Sequence, residues 1–195
     1  DPPPAPASIP FPSHTLFRTD TQTGSFVPYA AGRLALDVVT NNSRTRALMS
    51  LNNKEKPNLY VWKKDSNEYI DLGLSGYAEK CLWAQNKNRF YCAVPVNTPG
   101  VAEPDLWYQG VTQNSDEIWE INPENGQSLL LVIPSGYTSQ ELDMVDLMIT
   151  PDERYLYFRD KTSRSLWSYQ LDVFATSDSE NAQTGEVVTD EEFFE

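Results

Sequence analysis

The sequence predicts an all-β protein assembled from repeated antiparallel sheets, and three observations support that fold class. Phe, Trp and Tyr make up 12% of the 195 residues, and aromatic residues favour pleated, half-buried strands. Short apolar or alternating runs, separated by turn residues, fill residues 15–171. Residues 150–171 show the pattern best: a Pro-Asp turn, the run Tyr-Leu-Tyr-Phe, a polar break and a second alternating run.

Thirteen strands are predicted in chain order, each bounded by turn residues. They are residues 15–20, 25–29, 34–39, 45–51, 59–62, 69–74, 79–84, 89–94, 117–121, 129–133, 143–149, 155–158 and 165–171. Residues 30–33 are predicted as a loop. Residues 139–148 also fit a helix, because Leu142, Val145 and Met148 recur at a spacing of three, but analogy with the other units favours a strand.

The chain repeats a unit whose third strand carries an aliphatic–aromatic pair. The pairs are Leu16-Phe17, Leu59-Tyr60, Ile118-Trp119 and Leu166-Trp167, at intervals of 43, 59 and 48 residues. Four antiparallel strands in a period of about 40–50 residues is the pattern of a β-propeller blade. The sequence therefore predicts four-stranded antiparallel propeller blades at residues 34–74, 79–133 and 143–171, with a partial blade at residues 15–29.

The best-preserved unit resembles the repeat of TolB-type β-propellers, whose blades are similar to WD repeats. The resemblance lies in Thr150-Pro151-Asp152, Tyr155-Leu156-Tyr157-Phe158 and Leu166-Trp167. In that family a Ser/Thr-Pro-Asp-Gly turn joins the two inner strands, and Glu153 stands here in place of the glycine. The third unit also resembles uncharacterised exported propeller proteins of small-genome bacteria. The resemblance implies a propeller fold and export, and it implies no activity.

The predicted units make roughly three to four blades, whereas propellers typically have about four to eight. Three explanations are open: the chain is a fragment of a longer propeller, two copies complete one ring, or the four units close a small ring. In the last case residues 15–29 would pair with the final unit. Uncovered blade faces and strand edges invite association, so a protein partner or self-association is expected.

The two ends differ in composition from the body. Residues 1–14 are predicted as an extended linker, since six of the first twelve residues are proline. Residues 173–195 are predicted as a solvated acidic tail, since residues 172–195 hold eight acids and no Lys or Arg. The start at Asp1 is interpreted as a mature product or a piece of a longer protein.

Charge and hydropathy argue against nucleic-acid binding and against a membrane span in this chain. The net charge of −13 leaves no basic footprint for nucleic acid. No apolar run approaches the roughly 18 residues of a membrane span. No membrane span is therefore expected in this chain, and the proline-rich start with its apparent processing at Asp1 favours a secreted or cell-surface protein.

Cys81 and Cys92 lie five residues from either side of the Asn86-Lys87 turn. In a hairpin this spacing places them opposite each other, within reach of a disulfide. The alternative is a pair of buried free thiols. Export to an oxidising compartment favours the disulfide.

The insertion at residues 97–115 is the main candidate for function, because long loops on rigid scaffolds often carry binding sites. Asp105, Leu106, Trp107 and Tyr108 are predicted to form a partner-binding loop, since Trp and Tyr are favoured anchors for proteins and glycans. The alternative is that Trp107 and Tyr108 fold back to cover a blade.

No catalytic, metal or cofactor motif stands out. His14 is the sole histidine, so a multi-histidine site would need a second chain. The carboxylate pairs Asp116/Glu117, Asp143/Asp146 and Asp152/Glu153 suit a glycosidase in type, but adjacent acids in turns are mostly solvated or capping. We predict a non-enzymatic extracellular or cell-surface binding or structural module without a cofactor. The alternative is a propeller-type carbohydrate-active hydrolase or lyase.

Overall fold

The computed structural model describes residues 13–34, 37–52, 56–97, 103–171 and 186–188. Its strands are β1 (Ser13–Thr19), β2 (Phe26–Leu34), β3 (Asp37–Thr40), β4 (Arg46–Asn52), β5 (Pro57–Lys63), β6 (Glu68–Ser75), β7 (Cys81–Trp83), β8 (Phe90–Pro95), β9 (Asp116–Ile121), β10 (Ser128–Val132), β11 (Met144–Ile149), β12 (Tyr155–Asp160), β13 (Leu166–Gln170) and β14 (Glu186–Val188). A one-turn helix, α1 (Asp105–Tyr108), and two 3-10 turns, Ala78–Lys80 and Pro134–Gly136, lie between them. The predicted all-β class is confirmed.

The strands form four antiparallel sheets. Sheet A pairs β1 with β2. Sheet B has the order β14-β6-β5-β4-β3, sheet C the order β10-β9-β8-β7, and sheet D the order β11-β12-β13. Sheets B and C each contain four consecutive strands of one sequence repeat. Sheets A and D are separate within the described residues, so the small ring closed by their pairing is not observed.

The sheets pack face to face in chain order. Apolar side chains of sheets B and C share one core, which includes Leu48, Val61, Ile70, Phe90 and Ile121. The opposite face of sheet C packs against sheet D through a second core, which includes Tyr91, Ile118, Met144, Leu156 and Phe158. The far face of sheet B contacts Leu16 of sheet A. At one side of this stack, β7 contacts both β3 and β11.

The turn after the aliphatic–aromatic strand has the same backbone in three sheets. A residue with positive φ closes each turn: Gly24 at 71°, Asn67 at 55° and Gly126 at 70°. Asparagine tolerates this left-handed conformation better than most side chains, which explains how the second repeat forms the turn without glycine. Asp20 and Asn122 accept backbone N–H groups two residues further on, as Asx turns do.

Glu153, which replaces the usual glycine of the Pro-Asp turn, has a structural role in the fold. Its backbone keeps the left-handed conformation, with φ at 53°. Its side chain is buried, and its Oε1 accepts the backbone N–H of Asn86 at 2.5 Å. The side chain thereby ties the β11–β12 turn to the β7–β8 hairpin of the neighbouring sheet.

Glu153→Ala should lower the free energy of unfolding by about 1.5–3 kcal/mol, because it removes a charge-assisted hydrogen bond and keeps the strained backbone. Glu153→Gly loses the same bond but relieves the left-handed strain, so it should be about 1 kcal/mol more stable than the alanine variant. Urea denaturation of both variants measures the difference. An alanine variant as stable as the glycine variant would contradict this role.

Two predicted elements differ from the structure. Residues 30–33, predicted as a loop, continue β2 to Leu34, because Ser13 and His14 of β1 pair with Leu34 and Arg33. The third strand accordingly begins at Asp37 rather than at residue 34. Residues 79–80, predicted as the start of a strand, belong to the 3-10 turn Ala78–Lys80, and β7 begins at Cys81. The preferred strand at residues 143–149 is confirmed over the alternative helix at 139–148, since Met144–Ile149 pairs with β12.

The tail prediction also needs correction at one point. Residues 186–188 form β14 and pair with residues 69–71 of β6, at the outer edge of sheet B. An unpaired strand edge accepts such a partner through its free backbone groups. The rest of the predicted tail, 173–195, and residues 1–12 of the predicted linker lie outside the described residues.

Candidate binding site

The insertion joins β8 to β9 and is described from Glu103 onward. Its base is closed by a hydrogen bond from the Val96 N–H to the Ser115 carbonyl at 2.8 Å. Helix α1 follows Pro104, whose carbonyl accepts the Tyr108 N–H at 2.9 Å. Gly110 then adopts a φ of 73°, the conformation in which glycine commonly ends a helix. The described part of the insertion, residues 103–115, is therefore folded around α1.

The two aromatic residues of α1 have opposite environments. Trp107 is 3% exposed, whereas Tyr108 is 53% exposed. The Trp107 ring stacks on Tyr77 with centroids 5.0 Å apart, and its Nε1 donates to both carboxylate oxygens of Asp143 at 2.8 and 3.0 Å. Trp107 thus folds back and anchors α1. Of the four predicted loop residues, Asp105 and Tyr108 are exposed and Leu106 is half-buried.

The Trp107 side chain contacts a buried charge cluster formed by Lys80, Asp116 and Asp143. Lys80 is fully buried, and its Nζ lies 2.7 Å from Asp116 and 2.7 Å from Asp143. Asp116 also accepts the Met144 N–H at 2.6 Å. Because Lys80 precedes β7, Asp116 begins β9 and Asp143 precedes β11, the cluster joins sheets C and D at the foot of the insertion. Burial raises the pKa of Asp116 to about 6, although Lys80 opposes the rise.

Glu103 fixes the other end of α1. It is 2% exposed, and its carboxylate accepts hydrogen bonds from the Tyr77 hydroxyl at 3.1 Å, the Trp107 N–H at 3.2 Å and the Thr112 hydroxyl at 2.7 Å. Burial and the nearby Glu103 carboxylate raise the pKa of Tyr77. The Asn52 amide donates to the Glu103 carbonyl at 3.2 Å, so the insertion is also tied to sheet B.

A pocket of about 300 Å³ opens beside α1. Trp107 and Lys80 lie at its base, and its walls are formed by Glu79, Tyr108, Val145, Asp146, Arg159 and Lys161. Arg159 and Asp146 form an exposed ion pair at 2.5 Å. The Lys161 Nζ donates to the Trp107 carbonyl and lies 3.7 Å from the centroid of the Trp107 ring. Acidic, cationic, aromatic and aliphatic groups therefore meet in one small space.

The ionisable groups of this pocket are desolvated by the surrounding protein. Desolvation raises the pKa of Glu79, although a hydrogen bond from Tyr108 opposes the rise. It also raises the pKa of Tyr108, with hydrogen bonding to Glu79 acting in the same direction. Desolvation lowers the pKa of Lys161. Glu79 is nevertheless exposed and Lys161 is half-buried, so both charged side chains stay within reach of a ligand.

A wider cleft of about 590 Å³ lies between sheets B and C. Its lining includes Lys56, Leu74, Val96, Glu117 and Trp119. The Trp119 Nε1 donates to Glu117 at 3.1 Å, so two of its polar groups are paired with each other. The α1 pocket is the better candidate because it combines the predicted insertion residues with charged groups that keep hydrogen-bonding capacity.

The predicted disulfide is present. Cys81 and Cys92 are paired across β7 and β8, with an S–S distance of 2.05 Å and a Cα–Cα distance of 4.1 Å. The bond lies in the core between sheets B and C. It links the two strands of the β7–β8 hairpin directly after Lys80, which precedes β7.

Replacing both cysteines with alanine should lower the free energy of unfolding by about 2–3 kcal/mol, because the bond closes a short loop and constrains the unfolded chain. Thermal unfolding of the wild type with and without reductant, compared with the double variant, measures this effect. Reductant should not change the double variant. A wild type whose stability is insensitive to complete reduction would contradict the prediction.

The carboxylate pairs considered from the sequence do not meet as pairs. Asp116 and Asp143 come together around Lys80 and are buried, while Glu117 contacts Trp119. Asp152 accepts the Arg154 N–H within its own turn. Asp116 and Asp143 are therefore inaccessible to a substrate, whereas Asp146 and Asp152 are exposed.

Sequence reasoning missed the roles of Lys80, Glu103 and Glu79. Glu79 and Lys80 begin the predicted strand at residues 79–84 and Glu103 lies in the predicted insertion, so each is interpreted as a solvated charge. Their interaction partners are distant in sequence: Lys80 contacts acids 36 and 63 positions away. The Trp107 side chain was the one available signal that something buried lay beneath the insertion.

No protein-family model matches the chain, and a search of curated proteins finds no match. Within the described ranges, no group of three or more His, Cys, Asp or Glu side chains is arranged to hold a metal ion. Among the same residues, no helix has the length and hydropathy to cross a membrane.

Proposed function

We propose that the protein is a non-enzymatic binding module in which rigid, blade-like sheets display the insertion to a protein or glycan partner. The observation that carries this proposal is the contrast between Trp107, 3% exposed, and its neighbour Tyr108, 53% exposed. Because α1 is already anchored, little conformational freedom remains for it to lose when a partner binds Tyr108, so the entropy cost of binding is small. Exposed tyrosines are favoured contact residues for proteins and sugars.

The arrangement of the sheets supports a propeller-like scaffold of the TolB type. Sheets A to D pack face to face in chain order, and β3, β7 and β11, the first strands of their sheets, lie side by side. The face of sheet D opposite sheet C carries Met148 and Leu166, which are 54% and 67% exposed. These two exposed apolar side chains, on a face that also carries Arg159 and Ser168, favour association with a partner or with a second copy.

An extracellular or cell-surface location fits the disulfide, because such bonds persist in oxidising compartments. The Cys81–Cys92 bond is the only feature of the described residues that bears on this question. The proposal is accordingly that the module acts outside the reducing cytosol.

Crosslinking tests the binding function. A photo-reactive amino acid at Val111, which is 67% exposed and close to α1, should form a specific adduct with extracellular protein or glycan from the producing cells. Excess unlabelled wild-type protein should suppress the adduct. The Tyr108→Ala competitor should be at least about tenfold weaker, since a central tyrosine contributes about 2 kcal/mol or more.

Tyr137→Ala is the matched control, because Tyr137 is 80% exposed and lies in the β10–β11 connection. It should compete as well as the wild type. Equal competition by the Tyr108→Ala and Tyr137→Ala variants, or the absence of any suppressible adduct, would contradict binding at α1.

A carbohydrate-active enzyme is retained as the second candidate because of Glu79. Its raised pKa in a pocket is the property that a glycosidase general acid needs. Incubation with a panel of oligosaccharides, followed by mass spectrometry, separates the two functions. Turnover abolished in Glu79→Gln would favour the enzyme, whereas bound and unaltered oligosaccharides would favour the binding module.

A further inference from the structure

The charges around the α1 pocket leave two groups with binding capacity. Lys80 is engaged by Asp116 and Asp143, and Asp146 is engaged by Arg159. Lys161 donates to the Trp107 carbonyl, but an ammonium has three donors. Glu79 interacts with the Tyr108 hydroxyl, but a carboxylate accepts about four hydrogen bonds.

These two groups carry opposite charge and face the same space of about 300 Å³. Lys161 is half-buried, and Arg159 adds a second cation near it on the same strand segment. Glu79 lies with Tyr108, whose exposed ring offers a face to a cation. Val145 contributes an apolar wall. The pocket therefore has an acidic and aromatic side at Glu79 and Tyr108, a cationic side at Lys161, and an aliphatic wall.

We propose that this pocket binds a small zwitterion of the α-amino-acid class, with its ammonium at Glu79 and Tyr108 and its carboxylate at Lys161. This inference rests on the proposed binding function of α1. Glu79 is exposed and Lys161 is half-buried, and both line the same pocket, so a ligand with one charge of each sign meets a counter-charge at both ends.

Other ligand classes fit the same groups less well. A neutral sugar brings no counter-charge to either residue. A simple anion satisfies Lys161 but is repelled by Glu79, and a simple amine has the reverse problem. The volume lies at the lower end of the range for ligand pockets, which favours a molecule smaller than an oligosaccharide. Val145 favours a ligand with an aliphatic side chain.

Titration followed by heteronuclear NMR tests the proposal on the full chain. L-leucine should cause saturable shifts at Tyr108, Val145 and Lys161. Isoamylamine, which lacks the carboxylate, and 4-methylpentanoate, which lacks the ammonium, should each bind at least about tenfold more weakly, as expected for the loss of one charge-assisted contact. Glucose should produce no saturable shift.

Two variants and two controls complete the test. Glu79→Gln and Lys161→Met should each weaken L-leucine binding by about tenfold or more, while Glu141→Gln and Lys87→Met, at exposed positions elsewhere, should leave it unchanged. No saturable shift with L-leucine, glucose binding as tight as leucine, or equal binding of leucine and 4-methylpentanoate would each overturn the zwitterion assignment. If the Tyr108-dependent adduct persists in those cases, only the ligand class is wrong. If the adduct is also absent, the proposed function fails as well.

Discussion

Lys80→Met is expected to lower the free energy of unfolding by about 3–5 kcal/mol, because it leaves two buried carboxylates without their counter-charge. Lys80 is fully buried and bonded to Asp116 and Asp143 at 2.7 Å each. Since these acids begin or precede strands of two different sheets, the loss should weaken the joint between sheets C and D. Chemical denaturation followed by tryptophan fluorescence measures the change.

A triple variant separates charge from packing. Adding Asp116→Asn and Asp143→Asn to Lys80→Met removes the uncompensated charges and should recover a large part of the loss, because neutral replacements of a buried ion cluster are often tolerated. Lys87→Met, at an exposed turn position, should change stability by less than about 0.5 kcal/mol. A single Lys80→Met variant as stable as Lys87→Met would show that the cluster does not hold the sheets together.

Trp107→Ala is expected to lower the free energy of unfolding by about 3–5 kcal/mol, because it empties the buried site of a large aromatic side chain. It also removes the hydrogen bonds to Asp143 and the stacking on Tyr77. The insertion should detach from the charge cluster, so the loss should be accompanied by faster amide exchange across residues 103–115. Thermal unfolding and hydrogen-exchange mass spectrometry report the two effects.

Trp107→Phe and Tyr108→Ala refine this test. The phenylalanine variant keeps a ring against Tyr77 but lacks the indole N–H, so its loss should be smaller than that of Trp107→Ala. Tyr108→Ala should cost less than about 1 kcal/mol, since its side chain is more than half exposed. If Tyr108→Ala destabilises the protein as much as Trp107→Ala, the assignment of anchor and binding residue is wrong.

Local sequence signals predicted most of the strands and turns and the disulfide, but not the end of β2 or β14. Strand alternation and turn residues depend on neighbours in the chain, so the repeat containing Leu59-Tyr60 could be aligned even though Asn67 replaces glycine in its turn. Cys81 and Cys92 could be paired because hairpin register follows from spacing around a turn. The four sheets follow from these local units.

The candidate site depends on contacts that no local pattern encodes. Lys80, Asp116 and Asp143 are charged residues beside turns, and only their convergence from three elements makes their burial favourable. The different roles of Trp107 and Tyr108 follow from the one-turn helix, in which adjacent side chains point about 100° apart. The pocket with Glu79 and Lys161 likewise forms only when α1 rests on sheets C and D.

Site-resolved hydrogen exchange of residues 103–115 tests whether α1 is an anchored element rather than a flexible loop. The Trp107 N–H donates to Glu103 and the Asn114 N–H donates to Asp143, both at 3.2 Å and both buried. Their amides should exchange about as slowly as those of β8 in the core. Exchange of both amides at the rate of an unstructured peptide, while β8 stays protected, would contradict the anchored insertion and the binding function built on it.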